Sequence, residues 1–260
     1  MKQIWIVLGL LLLVVPLFQF ERVEAYGWGY KKSSSEQIPN VGKYEEIIAE
    51  HFAFYADKQT QKDVYLTFDN GYEAGYTEKI LNILQQEKVP ATFFLTGHYI
   101  EEEPALVKRM VKDGHIIGNH SYHHPDFTTM SKTEIKQELK LVEDAVAKIT
   151  EQTEMKYVRP PRGTFNEQTL QWTNELGYIS VFWSLAFKDW ETNEQKGWQY
   201  AYNQITNQIH PGAIILLHTV SEDNAEALEK VIQQLKQDGY TFKSLDDLLW
   251  KELIDQDILF

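Results

Sequence analysis

The chain reads as an α/β protein whose largely parallel sheet curls into a barrel-like arrangement of six or seven strands. Three observations predict this. From Asp63 onward, short β-branched and aromatic runs alternate with segments of helical hydrophobic spacing, the pattern of βα units. Chemistry-bearing residues follow one run after another: Asp69-Asn70 the first, His120 the third, Arg159 the fourth, Asp189-Trp190 trailing the fifth and His218 closing the sixth. Parallel α/β barrels gather their functional groups at C-terminal strand ends, and an inert scaffold has no reason for such placement. Finally, 260 residues suffice for one core of this size.

Element by element, Val64–Phe68 is a strand ending at the turn-forming Asp69-Asn70-Gly71. Thr77–Glu87 carries Ile80, Leu81, Ile83 and Leu84 at helical spacing, and Ala91–Leu95 is a second buried strand. Pro104–Asp113 is a helix stopped by Gly114, and Ile116–Asn119 a third strand. Ser131 with Glu134 three residues on is a capping box that starts a long amphipathic helix. Tyr157–Arg159 is a short strand checked by Pro160-Pro161; Glu167–Leu176 is a helix closed by Gly177. Strands at Ile179–Trp183, Ala213–Leu217 and Tyr240–Phe242 alternate with helices at Tyr200–Gln208 and Ala225–Asp238.

Before this lies an extension, residues 26–61, with a short helix expected at Tyr44–Tyr55, packing on a domain that runs from 62 to 260. Residues 1–25 read as a secretory leader: Lys2, an apolar run from Ile4 to Phe20, and Val23 and Ala25 at a cleavage site before Tyr26. An uncleaved membrane anchor is the other reading, and both carry the folded part across a membrane. With 25 basic against 38 acidic residues the net charge is −13, which argues against nucleic acid or an anionic membrane as partner. No obligate protein partner is evident. The absence of cysteine excludes disulfides and thiolate zinc sites, so a hydrolytic metal must take His, Asp, Glu or Asn.

His120 and His124 stand four residues apart, a spacing that one helical turn would place on one face, so both imidazoles can reach one cation. Asp69 is the candidate general base and Asn70 an oxygen ligand, successive residues pointing to opposite sides. Arg159 is a candidate partner that fixes Asp69 and keeps it ionised. His218 is a candidate general acid for a leaving amine, with Asp189 behind it to orient the ring and raise its pKa. Trp190, Tyr72 and Trp183 are large aromatic candidates for the apolar face of a binding site, Trp183, in a strand, reading rather as core. His123 reads as a surface or supporting residue, and His51, His98, His115 and His210 as structural.

Thr67-Phe68-Asp69-Asn70-Gly71, His120-Ser121-x-x-His124, Arg159-Pro160-Pro161-Arg162-Gly163, Asp189-Trp190 and Leu216-Leu217-His218 stand in the order and spacing of the polysaccharide deacetylase (NodB homology) family, carbohydrate esterase family 4. The resemblance runs from about Val64 to Leu249. It implies a distorted (β/α) barrel of about seven strands and a metal-dependent amide hydrolysis. The divalent cation, zinc before cobalt, manganese or magnesium, would be held by Asn70, His120 and His124, with Asp69, His218, Arg159 and Asp189 catalytic. Thr67–Glu73 and His218-Thr219-Val220-Ser221 resemble in particular the members that deacetylate N-acetylmuramic acid in peptidoglycan and support muramic δ-lactam formation in spore cortex. A peptidoglycan glycan strand is then the expected partner.

The chain departs from the family pattern twice. Asn70 stands where the family has a second aspartate, which predicts a weakly held metal. Arg162 stands where an aromatic residue is common, and its guanidinium suits the lactyl carboxylate of muramic acid. Two other readings compete: a deacetylase of chitin oligosaccharides, peptidoglycan N-acetylglucosamine or acetyl-xylan, and a non-catalytic wall-binding protein that keeps the fold.

Overall fold

A computed structural model describes residues 24–32, 36–59 and 61–255. The leader expected over 1–25 lies outside the described residues apart from Glu24 and Ala25. In chain order the elements are β1 (Tyr26–Gly27), α1 (Tyr44–Glu50), β2 (Asp63–Asn70), α2 (Thr77–Glu87), β3 (Thr92–Leu95), α3 (Gly97–Glu102), α4 (Pro104–Lys112) and β4 (Ile116–Asn119). There follow α5 (Lys132–Ile149), β5 (Tyr157–Val158), β6 (Thr164–Phe165), α6 (Glu167–Glu175), β7 (Ile179–Ser180), α7 (Trp198–Thr206), β8 (Ile214–His218), α8 (Glu222–Gln237), β9 (Thr241–Lys243) and α9 (Leu245–Asp255). The expected capping box of α5 is present, Ser131 and Glu134 each bonding the other's backbone N–H.

Seven strands form one sheet in the order β7-β5-β4-β3-β2-β8, with β9 beside β2, and all the pairings are parallel. Buried along its whole length, β2 is the central strand. Closure into a barrel comes through one bridge rather than a ladder. The strand expected at Ile179–Trp183 leaves β5 after Ser180; Val181 then bridges Phe54 of the extension, and Leu185 bridges Ile215 of β8. Changing partners within a few residues leaves no room for a longer ladder.

Strand phase decides what faces where, because successive side chains point to opposite faces. On β2 and its neighbours Leu66, Phe68, Phe93, Leu95, Ile215 and Leu217 join the core beneath the helices. Tyr65, Phe94, Tyr157 and Ile214 fill the barrel interior, with Leu245 and Leu248 of α9 below them. Carried upward, the interior phase reaches Asp69 on β2, His218 on β8, His120 just past β4 and Arg159 just past β5. The extension packs through an aromatic cluster of Trp28, Tyr55, Phe165 and Phe182. Trp28 stacks on Phe182 at 4.5 Å, and β1 pairs with β6. Helix α1 stops at Glu50, short of the expected Tyr55, because Phe52 takes a positive φ of 44° and turns the chain toward the sheet.

Candidate functional site

At the C-terminal ends of the strands lies a cavity of about 970 Å³, lined by Asp69, His120, His124, Arg162, Trp190 and His218 among others. Its floor is a buried ion pair. Arg159 is fully buried and donates from Nη1 to Asp69 Oδ1 at 2.7 Å, from Nη2 to Thr67 Oγ1 at 2.9 Å and from Nε to the Val181 carbonyl at 3.0 Å. The guanidinium carbon sits 4.2 Å from the Phe94 ring centroid. Burial opposes a charge on Asp69, but Arg159, His120 and His218 overcome it, so the carboxyl titrates below the usual range. Removing either partner of such a pair costs about 3–5 kcal/mol, because the other charge is left buried alone.

His120 donates from Nδ1 to the Arg159 carbonyl at 2.8 Å, since a carbonyl can only accept. That tautomer leaves a lone pair on Nε2, 3.5 Å from Asp69 Oδ2. The two rings of His120 and His124 come together, centroids 4.9 Å apart, but not on a helical turn as their spacing predicts. Residues 120–124 form a loop in which Ser121 and His124 have φ of 62° and 58°, incompatible with a right-handed helix. Gly97 pins this loop: its N–H donates to the Tyr122 carbonyl at 3.1 Å, and the Tyr122 ring lies where a Cβ on residue 97 would stand. Burial and the neighbouring His120 push the His124 pKa down to about 4, and burial likewise lowers that of His120, so both rings are neutral at pH 7.

Asn70 lies on the outward phase of β2. Its Nδ2 donates to Thr219 Oγ1 at 2.7 Å, its side chain is fully buried, and it is not among the residues bordering the cavity. With the amide assigned this way, Oδ1 has no hydrogen-bond partner among the described residues. Among the described residues no three His, Cys, Asp or Glu side chains are grouped to hold a metal ion. The donor chemistry nevertheless fits a loosely held cation: two neutral imidazoles meet at the cavity, and Asn70, next in sequence to Asp69, keeps a buried amide oxygen without a hydrogen bond among the described residues.

On the adjacent strand β8, in register with Asp69, the His218 ring lies 2.8 Å (Nδ1) from Asp189 Oδ1, while its backbone N–H donates to Asp189 Oδ2 at 2.8 Å. Burial works against a charged ring, yet Asp189 outweighs it and the His218 pKa is raised. Trp190 stands edge-on to this ring at 5.5 Å. Trp190 and Tyr72 are both 47 % exposed, large aromatic faces open at the cavity mouth.

Two sequence readings need correction here, those of Trp183 and His98, whereas His123 is exposed as its reading expects. Trp183 is half-buried and lines the cavity, while its carbonyl accepts from Trp28 Nε1 at 2.9 Å; it serves wall and core together. His98, read as structural, is exposed on the cavity wall with Glu101 and Tyr122. His123 also borders the cavity, with Nδ1 2.7 Å from Glu138 Oε1. The signal for His98 was available, for it lies just past the end of β3, a strand end within the run of functional positions that yielded no candidate.

A family model described as polysaccharide deacetylase matches residues 56–181. Peptidoglycan-N-acetylmuramic acid deacetylase PdaA of Bacillus subtilis is 53 % identical over 88 % of this chain and 88 % of that protein. The chain belongs to the polysaccharide deacetylase family, the family 4 carbohydrate esterases. The solved structure of PdaA aligns with a TM-score of 0.86, covering 88 % of this chain and 98 % of that one. A family 4 esterase from Bacillus anthracis is 49 % identical, covering 87 % of this chain and 96 % of that chain, with a TM-score of 0.74. A family 4 pseudoenzyme from Bacillus anthracis is 30 % identical, covers 76 % of this chain and 68 % of that chain, and has a TM-score of 0.70. Since the fold also hosts a pseudoenzyme, the activity of a member has to be argued from its site.

Proposed function

We propose that this chain hydrolyses the N-acetyl group of N-acetylmuramic acid in glycan strands of peptidoglycan whose lactyl groups are free of peptide, the step that prepares muramic δ-lactam in spore cortex. The observation that carries the reading is the pair of dyads facing one cavity from adjacent strands: Asp69 with Arg159, and His218 with Asp189, Asp69 and His218 being register partners. A base whose pKa is lowered by a buried guanidinium and an acid whose pKa is raised by a carboxylate, side by side, are the pairing that amide hydrolysis uses.

His120, His124 and, through its amide oxygen, Asn70 are the residues that would hold a divalent cation, zinc before cobalt, manganese or magnesium. Bound there, such an ion supplies Lewis-acid polarisation of the acetamide carbonyl and of water. Asp69, its Oδ1 tied to Arg159, accepts a proton from the attacking water on Oδ2. Negative charge gathering on the acetamide oxygen is received by the backbone N–H at Arg162. His218, with its Nδ1 proton on Asp189, gives its Nε2 proton to the amide nitrogen as the C–N bond breaks. Acetate and a free sugar amine leave. Trp190 and Tyr72 pack against the ring's apolar face, and Arg162, exposed at the cavity edge, takes the lactyl carboxylate in a bidentate contact. The apolar leader would carry the enzyme across the cytoplasmic membrane to reach this polymer.

The test is mass spectrometry of peptidoglycan after incubation with the protein, before and after stem peptides are removed. Loss of one acetyl group from muramic acid, in peptide-free strands alone and absent with Asp69→Ala, is the expected result. Acetate released instead from chitin oligomers or from N-acetylglucosamine residues would overturn the substrate; glycan binding undiminished in Asp69→Ala, with no acetate from the wild type, would overturn the enzyme. Arg162→Ala is expected to lose the preference for muramic acid over N-acetylglucosamine, and an unchanged preference refutes the carboxylate contact.

A further inference from the structure

The Asp189–His218 pair does not stand alone. Asp189 lies on an irregular segment between β7 and α7 that also carries Trp190, and this segment is fastened to the first turn of α8. Asn224, in that turn and 2 % exposed, donates from Nδ2 to Asp189 Oδ2 at 2.5 Å, and the same Nδ2 lies 3.3 Å from the His218 carbonyl. Further along, Asp223 accepts from the backbone N–H groups of Lys196 and Gly197 at 2.6 and 2.9 Å. Gln195 Oε1 accepts from the Asp223 N–H at 3.0 Å and the Ser221 hydroxyl at 3.2 Å. Ser221 in turn caps the helix by accepting from the Asn224 N–H at 3.2 Å.

We infer that Asn224 is a positioning residue for the proposed acid, and that the first turn of α8 is the clamp holding Asp189 and Trp190 in register with His218. Asp189 has two oxygens and must keep Oδ1 on the His218 ring. Two donors, the His218 backbone N–H and the Asn224 amide, hold Oδ2, which fixes the carboxylate plane and leaves Oδ1 nowhere to turn but the ring. A structural amide would be expected to satisfy both of its ends. This one commits its N–H to Asp189 and leaves its Oδ1 buried without a partner among the described residues, so it is placed for the carboxylate rather than for its own hydrogen bonding. The charged groups around the His218 ring are Asp189, Asp69 and Arg159, with the titratable His120 and His124 also facing it, and of all these Asn224 hydrogen-bonds only Asp189.

The inference rests on the reading of His218 as general acid, and the experiment separates the two. Asn224→Leu keeps the volume and removes the donor. On peptide-free glycan strands it is expected to lower kcat by about tenfold or more, the usual effect of removing an outer partner of a catalytic ligand, with KM little changed. The alkaline limb of kcat is expected to move to lower pH, in the same direction expected of Asp189→Asn, because the ring loses its aligned carboxylate. Asn224→Gln, which restores an N–H one methylene away, is expected to recover part of the loss. Wild-type kcat and an unmoved limb in Asn224→Leu, with His218→Ala inactive, overturn the inference and leave the acid in place. Full turnover in His218→Ala overturns the acid itself. Should Asn224→Leu fail to fold, Asn224→Ser, which shortens the side chain and withdraws the amide, is measured against the same two outcomes.

Discussion

At Asp69 one carboxylate oxygen is held by a fully buried guanidinium and the other faces a nitrogen lone pair on His120. The residue types, their order along the chain and the Arg159–Asp69 pairing were legible in the sequence; the other contacts of the guanidinium, to Thr67 and the Val181 carbonyl, were not, because they depend on the inward phase of strands far apart in the chain. Asn70 shows the opposite case. Its identity was legible and its placement was not, since a one-residue step along β2 turns it outward onto Thr219. From this a weak metal site follows: a neutral amide, tethered elsewhere, adds no charge to two imidazoles. Asn70→Asp is expected to bind zinc about tenfold tighter or more by isothermal titration calorimetry, and equal affinities would count against Asn70 as a ligand. The pH profile follows from the two dyads. Asp69, lowered, must be ionised, and its contribution to stability is present above its unfolded pKa and lost as pH falls through the folded value. His218, raised, must be protonated, and its contribution is present below its unfolded pKa and lost as pH rises through the folded value. Activity is therefore expected to hold through neutrality with its alkaline limb above the ordinary histidine pKa, and Asp189→Asn to bring that limb down.

Among the elements, the loop after β4 carries the sharpest lesson. Sequence spacing reads His120 and His124 as one helical turn; backbone conformation brings them together by another route, through left-handed residues at Ser121 and His124. No pattern of apolar residues reports a positive φ at serine or histidine, so the error was built into the spacing argument. The partner element, the start of α3, was not anticipated either, although Thr96 caps it from the end of β3. Gly97 couples the two. A Cβ there would meet the Tyr122 ring at 2.3 Å, so Gly97→Ala must displace the ring and with it the loop that bears both imidazoles. A shift of this size is expected to cost about 100-fold in turnover and roughly 1–3 kcal/mol in stability, read by acetate release and urea unfolding. Turnover within twofold of wild type would show the loop indifferent to that contact.

Over the whole molecule, the alternation of strands and helices made the parallel sheet legible, and the march of functional residues along the strand ends located the working face. Two things were not legible. The single bridge from Leu185 to Ile215 leaves no strand-length run to detect, and the final helix α9, whose Lys251 joins Asp57 of the extension to Asp63 of β2, went unread. The extension itself is fastened by aromatic packing that a sequence pattern cannot pair. Trp28→Ala is expected to cost about 3–5 kcal/mol in urea unfolding and to lower turnover, since Trp183, a wall of the cavity, is bonded to Trp28; a loss under 1 kcal/mol would mean the extension is merely draped.

That fastening sets an order of assembly. Trp28 and its partner Trp183 are separated by 155 positions, so the indole leaves the ribosome long before its seat has been synthesised. Until β6 and the segment after β7 arrive, Tyr26 and Trp28 have only Tyr44 and Tyr55 of the extension to rest on, a window in which the nascent polypeptide is prone to self-association. The earliest aromatic cluster to be made is thus among the last to be housed, and slow, late docking of the amino-terminal arm is the kinetic signature this architecture carries.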